Sequence, residues 1–214
     1  MTTDFRCTVC WRHATDLCGR CKVVRYCGLS CQRDDWKTHK VLCGIDLYPA
    51  KDLTVKSYRG LFFPEDEERP RFIEILVETS SDSEQPSMMP SIRRLLGGGN
   101  SSRSLSRSGI QNRERELMRG QLVLHAKPDG ISKVGRTYNL SLRKFLGLPM
   151  ESGIMGPVVV TKRKKSEGNN EIEEFMDIEV DDLRDAVDFL RFQTTYSAME
   201  EKIFQNFNIF DFLQ

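Results

Sequence analysis

The stretch CTVCWRHATDLCGRCKVVRYCGLSCQRDDWKTHKVLC, residues 7–43, decides the fold. It holds all seven cysteines of the 214-residue chain. With one histidine they fall into four spaced pairs: Cys7–Cys10, Cys18–Cys21, Cys27–Cys31 and His39–Cys43. A CxxC turn aims two sulfurs at one point, and residues four apart share one helical face, so each pair is half of a tetrahedral site. Eight such ligands are the number that two zinc ions require.

Size and compartment favour metal over disulfides. A segment of about 40 residues rarely buries enough apolar surface to fold alone, so we expect zinc to replace a core. The chain starts without a secretory signal and has no run of eighteen apolar residues. We therefore expect an intracellular protein, nuclear or cytoplasmic, with reduced thiols and no membrane partner. Buried structural cysteines or a redox CxxC are the alternatives, but four ligand pairs argue against them.

Charge argues against a nucleic-acid finger. Lysine and arginine (32) almost cancel aspartate and glutamate (31) over the whole chain. Residues 1–45 carry eight cationic and four acidic side chains. Adding seven thiolates and two Zn²⁺ leaves about +1 on this segment, which is a weak footprint for binding phosphates.

The segment resembles the MYND-type zinc finger, through CxxC, CxxC, "RYC", "CQRDDW", His and Cys in that order, with Tyr26, Gln32 and Trp36 also in agreement. Spacing alone leaves open which pairs share a metal, and a sequential arrangement would place the first two pairs on one ion. The resemblance implies a cross-braced arrangement. The first zinc would take Cys7, Cys10, Cys27 and Cys31, and the second would take Cys18, Cys21, His39 and Cys43.

The resemblance also implies a protein partner. MYND fingers are chiefly protein-interaction modules, and some bind short proline-containing peptides. The matching residues here are Gln32 and Trp36, four apart and so on one helical face. Trp36 could instead cover a small core, and both roles are compatible with one side chain. His13 lies outside the ligand pattern, so we place it on the surface.

Four segments are predicted from the changes in composition. We expect the finger in 1–46 and, in 47–79, connecting strands that join the C-terminal domain. Residues 80–119 are rich in serine, glycine and arginine, which indicates a flexible linker or loop. Residues 120–214 become globular again and are predicted to form a domain of unknown role.

The C-terminal part is predicted to be an α+β domain with a mainly antiparallel sheet and one long helix. "QLVLHA" and "PVVVTK" suit strands, and "SLRKFLG" suits a short helix ended by Gly147. In "VDDLRDAVDFLRFQ" the apolar residues recur at i, i+3, i+4 and i+7, which is typical of a helix with one buried face. The fold class is therefore a zinc-stabilised finger with two zinc ions plus this domain.

These patterns favour a binding protein over an enzyme. Some MYND fingers sit inside SET-domain lysine methyltransferases, which carry an Asn-His-Ser-Cys signature that this sequence lacks. No GxSxG, HExxH, GxxxxGK[ST] or GxGxxG motif occurs. A weaker resemblance to a group of fungal MYND proteins brings no activity with it. The alternatives are an enzyme that uses the C-terminal domain, and RNA contact through the Arg/Ser-rich segment.

Overall fold

The computed structural model describes residues 5–44, 48, 52, 54–80, 83–98, 103–106, 120–127, 138–148, 154–164 and 175–191. Its N-terminal part contains a minimal hairpin and one helix. Strands β1 (Asp16–Leu17) and β2 (Arg25–Tyr26) pair antiparallel, and α1 spans Leu29–His39. So little regular structure in this stretch leaves room for the ligand-bearing turns.

A curled antiparallel sheet follows. Its strands are β3 (Ser57–Phe63), β4 (Arg71–Leu76), β7 (Arg103–Ser106), β8 (Gln121–Ala126), β9 (Val158–Arg163) and β10 (Phe175–Met176). The order is β4-β3-β9-β8-β7, and β10 pairs with β9. A separate hairpin joins β5 (Glu78–Ser80) to β6 (Ser83–Ser87). Every pairing between the described strands is antiparallel, which confirms that prediction.

Alternation along the central strands creates a core on each face of the sheet. On β3, Leu61 and Phe63 join the larger cluster, whereas Phe62 points to the smaller one. On β9, Val160 belongs to the larger cluster and Val159 to the smaller. This period of two follows from the strand pleat, and it explains the run of three valines at 158–160: both faces of β9 are covered there.

The helices beside the sheet are short. Helix α2 (Met89–Leu95) packs on the smaller cluster through Ile92. Helix α3 (Leu140–Leu146) begins at an Asn139 cap, whose side chain accepts from the Leu142 N–H at 2.8 Å. It ends at Gly147, whose φ of 65° is the left-handed conformation that glycine adopts without strain.

The prediction of one long helix is not supported. Residues 180–182 form a 3-10 turn and 183–191 are helical, which is the full helical extent of this segment in the described part of the chain. The predicted apolar face is present, since Leu183, Ala186, Val187 and Leu190 are all buried. Periodicity located the helix and its face, but it carried little information on length.

The predicted segment boundaries stay predictions. Within 80–119, the segment interpreted as a linker, the structure places β6, α2 and β7 in regular secondary structure. Residues 192–214 of the predicted 120–214 domain lie outside the described residues. In the described part of the chain, no helix is both long and apolar enough to cross a membrane.

The N-terminal part packs against the rest of the chain. Its buried cysteines belong to the same core cluster as Leu61, Leu124 and the 183–191 helix. Polar contacts tie the two parts: the Thr8 hydroxyl donates to the Asp181 carbonyl at 3.2 Å, and Arg184 pairs with Asp34 at 3.2 Å. We name these two contacts and the shared core around them the finger junction.

Candidate functional site

The first ligand cluster consists of Cys7, Cys10, Cys27 and Cys31. Their sulfurs all lie within 4.8 Å of one another. The Sγ of Cys27 is 3.4 Å from that of Cys10 and 3.6 Å from that of Cys31. Cys7 and Cys10 come from a turn, and Cys31 comes from the first turn of α1. The cluster lies near the surface, because Cys27 is exposed and Cys10 is half-buried.

The second cluster consists of Cys18, Cys21, His39 and Cys43, and all four are buried. The His39 Nε2 is 3.3 Å from the Cys18 Sγ and 3.5 Å from the Cys21 Sγ, and the Cys18 and Cys43 sulfurs are 3.7 Å apart. Burial lowers the pKa of His39, so its ring is neutral at pH 7 and can offer a lone pair. Alternate pairs therefore meet at each site, which is the cross-braced grouping that the MYND resemblance implies.

The two CxxC turns share one backbone conformation. The residue after each second cysteine has a positive φ, 63° at Trp11 and 57° at Lys22. In both turns its N–H donates to the carbonyl of the first cysteine at 3.0 Å, from Trp11 to Cys7 and from Lys22 to Cys18. A left-handed conformation is unusual for side chains of this size. Because this conformation occurs at equivalent positions, the same turn geometry brings together the two sulfurs of each CxxC pair.

The distances fit tetrahedral zinc. With Zn–S bonds of about 2.3 Å, a tetrahedron has sulfur–sulfur edges of about 3.8 Å. The sulfur–sulfur distances quoted above, 3.4 Å to 3.7 Å, are close to that value. Each site has four protein ligands and the Cys/His set that zinc prefers. The predicted cofactor, two structural zinc ions, is thus confirmed, and the zinc holds the finger's fold.

The pKa values of the thiols also indicate that each cluster binds a cation. Burial, followed by the neighbouring thiols, raises the pKa of Cys31 to about 12, and burial with Cys18 and Cys21 does the same for Cys43. Such crowded thiolates repel one another unless a positive ion lies between them. Burial alone would also raise the pKa of the Cys10 thiol. Hydrogen bonds, chiefly from Arg12, outweigh burial and lower this pKa to about 6, which favours the ligating thiolate.

Comparison with known proteins agrees with this geometry. Residues 7–43 match the MYND finger family. Residues 7–43 are a MYND finger. The MYND finger is a zinc-binding protein-interaction module, so a protein partner is consistent with this part of the chain. No solved structure is significantly similar to the chain.

Three curated relatives are similar to the MYND finger. Protein CBFA2T2 of Homo sapiens is 45% identical over 42 residues, 20% of this chain and 7% of the relative. Ubiquitin carboxyl-terminal hydrolase 19 of Arabidopsis thaliana is 53% identical over 38 residues, 17% of this chain and 6% of the relative. Zinc finger MYND domain-containing protein 10 homolog of Drosophila melanogaster is 44% identical over 41 residues, 19% of this chain and 9% of the relative. The matches thus span less than a tenth of each relative.

Helix α1 buries the side that carries two zinc ligands and exposes the other side to solvent. Cys31, Asp35, Thr38 and His39 face inward. Gln32 is half-buried, and Trp36 is 41% exposed with its ring 6.1 Å from that of His39. Trp36 therefore packs beside a ligand and also presents indole surface to solvent. Binding of a peptide by Gln32 and Trp36 stays a prediction. His13 is exposed and belongs to neither cluster, as expected.

A buried hydrogen bond beside the second cluster was missed in the sequence. The Tyr26 hydroxyl donates to the Asp35 Oδ2 at 2.7 Å, and both residues are buried. Burial raises the pKa of Tyr26 and so does Asp35, which keeps the phenol a neutral donor. Asp35 also raises the pKa of His39 against the effect of burial. Its inward position could have been found, since it lies four residues after Cys31 and four before His39.

Replacing Tyr26 with phenylalanine should destabilise the finger without removing a ligand. Tyr26→Phe leaves a buried carboxylate oxygen without its donor, so we expect a loss of about 1–3 kcal/mol in the free energy of unfolding. Denaturant unfolding with a zinc count checks this, and two zinc ions should stay bound. Tyr58→Phe is the control, because the Tyr58 hydroxyl has no hydrogen bond among the described residues. Equal stability of the two variants would contradict the assigned role of Tyr26.

Proposed function

We propose that the protein is a non-enzymatic adaptor or regulatory protein that recognises a partner peptide through its MYND finger. The observation that carries this proposal is the exposed indole of Trp36 on a helix whose opposite side is fixed by zinc ligands. Because Cys31 and His39 hold both ends of α1, the outward face is rigid. A rigid aromatic surface loses little entropy on binding, which favours recognition of a short segment.

Proline-containing motifs are the class of peptide that this surface suits. An indole offers a flat apolar contact for a proline ring, and Trp36 has the necessary exposure. Gln32 precedes it by one helical turn and carries both a donor and an acceptor amide group for the backbone of an extended peptide. Proline-rich segments are already extended when free, so ordering them on binding costs little.

The absence of catalysis is part of the proposal. Each zinc cluster has four protein ligands, which leaves no coordination position for a reactive water. The hydrolase activity in the name of the Arabidopsis relative belongs to that protein, and its similarity to this chain is confined to 38 residues. Those residues overlap the finger, so the match supports a shared binding module.

Truncating Trp36 should weaken peptide binding. On an array of proline-containing peptides, we expect Trp36→Ala in the full chain to weaken binding at least about tenfold, as loss of a central aromatic contact does. Both zinc ions should remain bound, because Trp36 is not a ligand.

Phe5→Ala is the matched control for this experiment. Phe5 has the same exposure as Trp36, 41%, and lies outside α1 on the N-terminal side of the finger. We expect this variant to bind as the wild type does. If the wild type binds no proline-containing peptide, or if Trp36→Ala binds equally well, the proposed peptide recognition is wrong.

A further inference from the structure

The outward face of α1 combines apolar and cationic side chains. With 3.6 residues per turn, Leu29, Arg33, Trp36 and the C-cap residue Lys40 follow one line along α1, and Lys37 lies beside it. All five side chains are exposed, Leu29 to 66%. We call Arg33, Lys37 and Lys40 the basic strip of α1. It borders the Trp36 indole on the side away from Gln32.

The basic strip has no acidic neighbour of its own. Within the described residues, none of its three side chains forms an ion pair. Two acids lie on the same helix, but both are engaged elsewhere. Asp34, three residues before Lys37, pairs with Arg184 at 3.2 Å. Asp35 is buried and accepts from Tyr26 at 2.7 Å.

The finger junction thereby shapes the charge of the binding face. By holding Asp34 toward the 183–191 helix, Arg184 removes the carboxylate that could have neutralised Lys37. The exposed apolar groups of Leu29 and Trp36 are left beside three cations that form no ion pair with any residue that the structure describes. Such a surface is complementary to an apolar segment flanked by carboxylates, since complementary charges favour encounter and fix orientation.

We propose that the partner of the MYND finger is an acidic peptide segment, whose apolar residue packs on Trp36 and Leu29 while flanking aspartates or glutamates pair with Arg33, Lys37 and Lys40. This inference rests on the proposed peptide recognition and adds the charge of the partner. A nucleic acid fits the surface less well. It could stack a base on Trp36, but the finger with its thiolates and zinc carries only about +1, and Leu29 would gain nothing from a phosphate backbone.

Matched peptides test the charge of the partner. Each proline-containing core is synthesised with acidic flanks, with the same flanks as asparagine and glutamine, or with lysine flanks, and binding to the zinc-loaded full chain is measured. Three exposed pairs should make the acidic version bind about tenfold more tightly than the amide version. The preference should shrink as salt is raised, because exposed pairs are screened.

Two triple variants locate the effect. R33Q/K37Q/K40Q should lose the acidic preference and retain two zinc ions. K56Q/R69Q/R93Q removes the same charge from exposed positions outside the finger and should keep the preference. Because glutamine is a good helix former, the first variant preserves α1, and amide exchange across 29–39 verifies it.

The outcomes separate this inference from the proposed function. Loss of binding in Trp36→Ala with equal affinity for all flanks would overturn the acidic partner and leave peptide recognition standing. Failure of every peptide to bind would overturn both. If a single-stranded RNA oligonucleotide binds through the basic strip while acidic peptides do not compete with it, the partner is a nucleic acid and the acidic peptide is wrong.

Discussion

Removing zinc is expected to unfold residues 7–43. Six of the buried residues of this segment are ligands, and among its aliphatic side chains only Ala14, Val24 and Leu42 are buried in the described structure. Structural zinc supplies on the order of 10 kcal/mol of folding free energy in finger peptides, far more than this small core could replace. Hydrogen exchange of the full chain before and after chelation should show loss of amide protection across 7–43, recovered when zinc is restored.

A pair of histidine variants assigns this effect to the ligands. His39→Ala removes one ligand of the buried cluster and should lower the zinc content from two ions to one, with loss of protection around Cys18, Cys21 and Cys43. His13→Ala changes an exposed histidine outside both clusters and should keep two zinc ions. Unchanged protection after chelation, or equal zinc content in the two variants, would show that the metal does not hold this fold.

The second large loss of stability is expected when the buried ion pair between β9 and the 180–182 turn is broken. The Lys162 Nζ lies 2.9 Å from both oxygens of Asp182, and both side chains are buried. Lys162→Met would leave Asp182 without its cation in a site that excludes water. A buried charge without its partner costs about 3–5 kcal/mol, so we expect a loss of that size in the free energy of unfolding.

The size of this loss should depend on pH. Burial raises the pKa of Asp182 and Lys162 opposes the rise, so the pKa in Lys162→Met is higher still. A folded-state pKa above the unfolded value stabilises the protein at low pH, and that stability is lost as the pH rises. The variant should therefore recover part of its stability as the pH falls toward the unfolded pKa of Asp182.

Two further variants complete this test. K162M/D182N removes both charges together and should cost less than Lys162→Met alone, because no buried charge remains unpaired. Lys56→Met, at an exposed lysine, should leave stability unchanged within about 0.5 kcal/mol. If Lys162→Met is no less stable than Lys56→Met in denaturant unfolding, the buried pair contributes nothing to the fold.

Residue types and spacing were sufficient to predict the number of zinc ligands and the need for metal. They were not sufficient to pair the ligands, because Cys18 lies at similar sequence distances from Cys10 and Cys27 and only the resemblance separated the arrangements. Strand β8 was predicted to the residue, since "QLVLHA" is a compact apolar run bounded by polar residues and a turn. Local patterns of this kind need no knowledge of the rest of the fold.

The features that could not be predicted from the sequence depend on contacts between distant residues. The partners Lys162 and Asp182 are 20 residues apart, and nothing in either neighbourhood shows that they meet. Strand β7 lies in a segment of polar composition, and it forms by pairing with β8. The start of the 180–191 segment is marked by reciprocal bonds between Glu179 and Asp182.

The finger junction makes the sheet's stability a function of free zinc. Because the finger and the sheet share one core, ions that bind only the folded finger also stabilise what it packs against, by an amount that grows with the logarithm of their concentration. The linkage is reciprocal, since a well-folded sheet holds the two halves of each site in place and raises the affinity for zinc. Thr8 and Asp34 thereby link the supply of zinc to the stability of the sheet, which lies outside both zinc clusters.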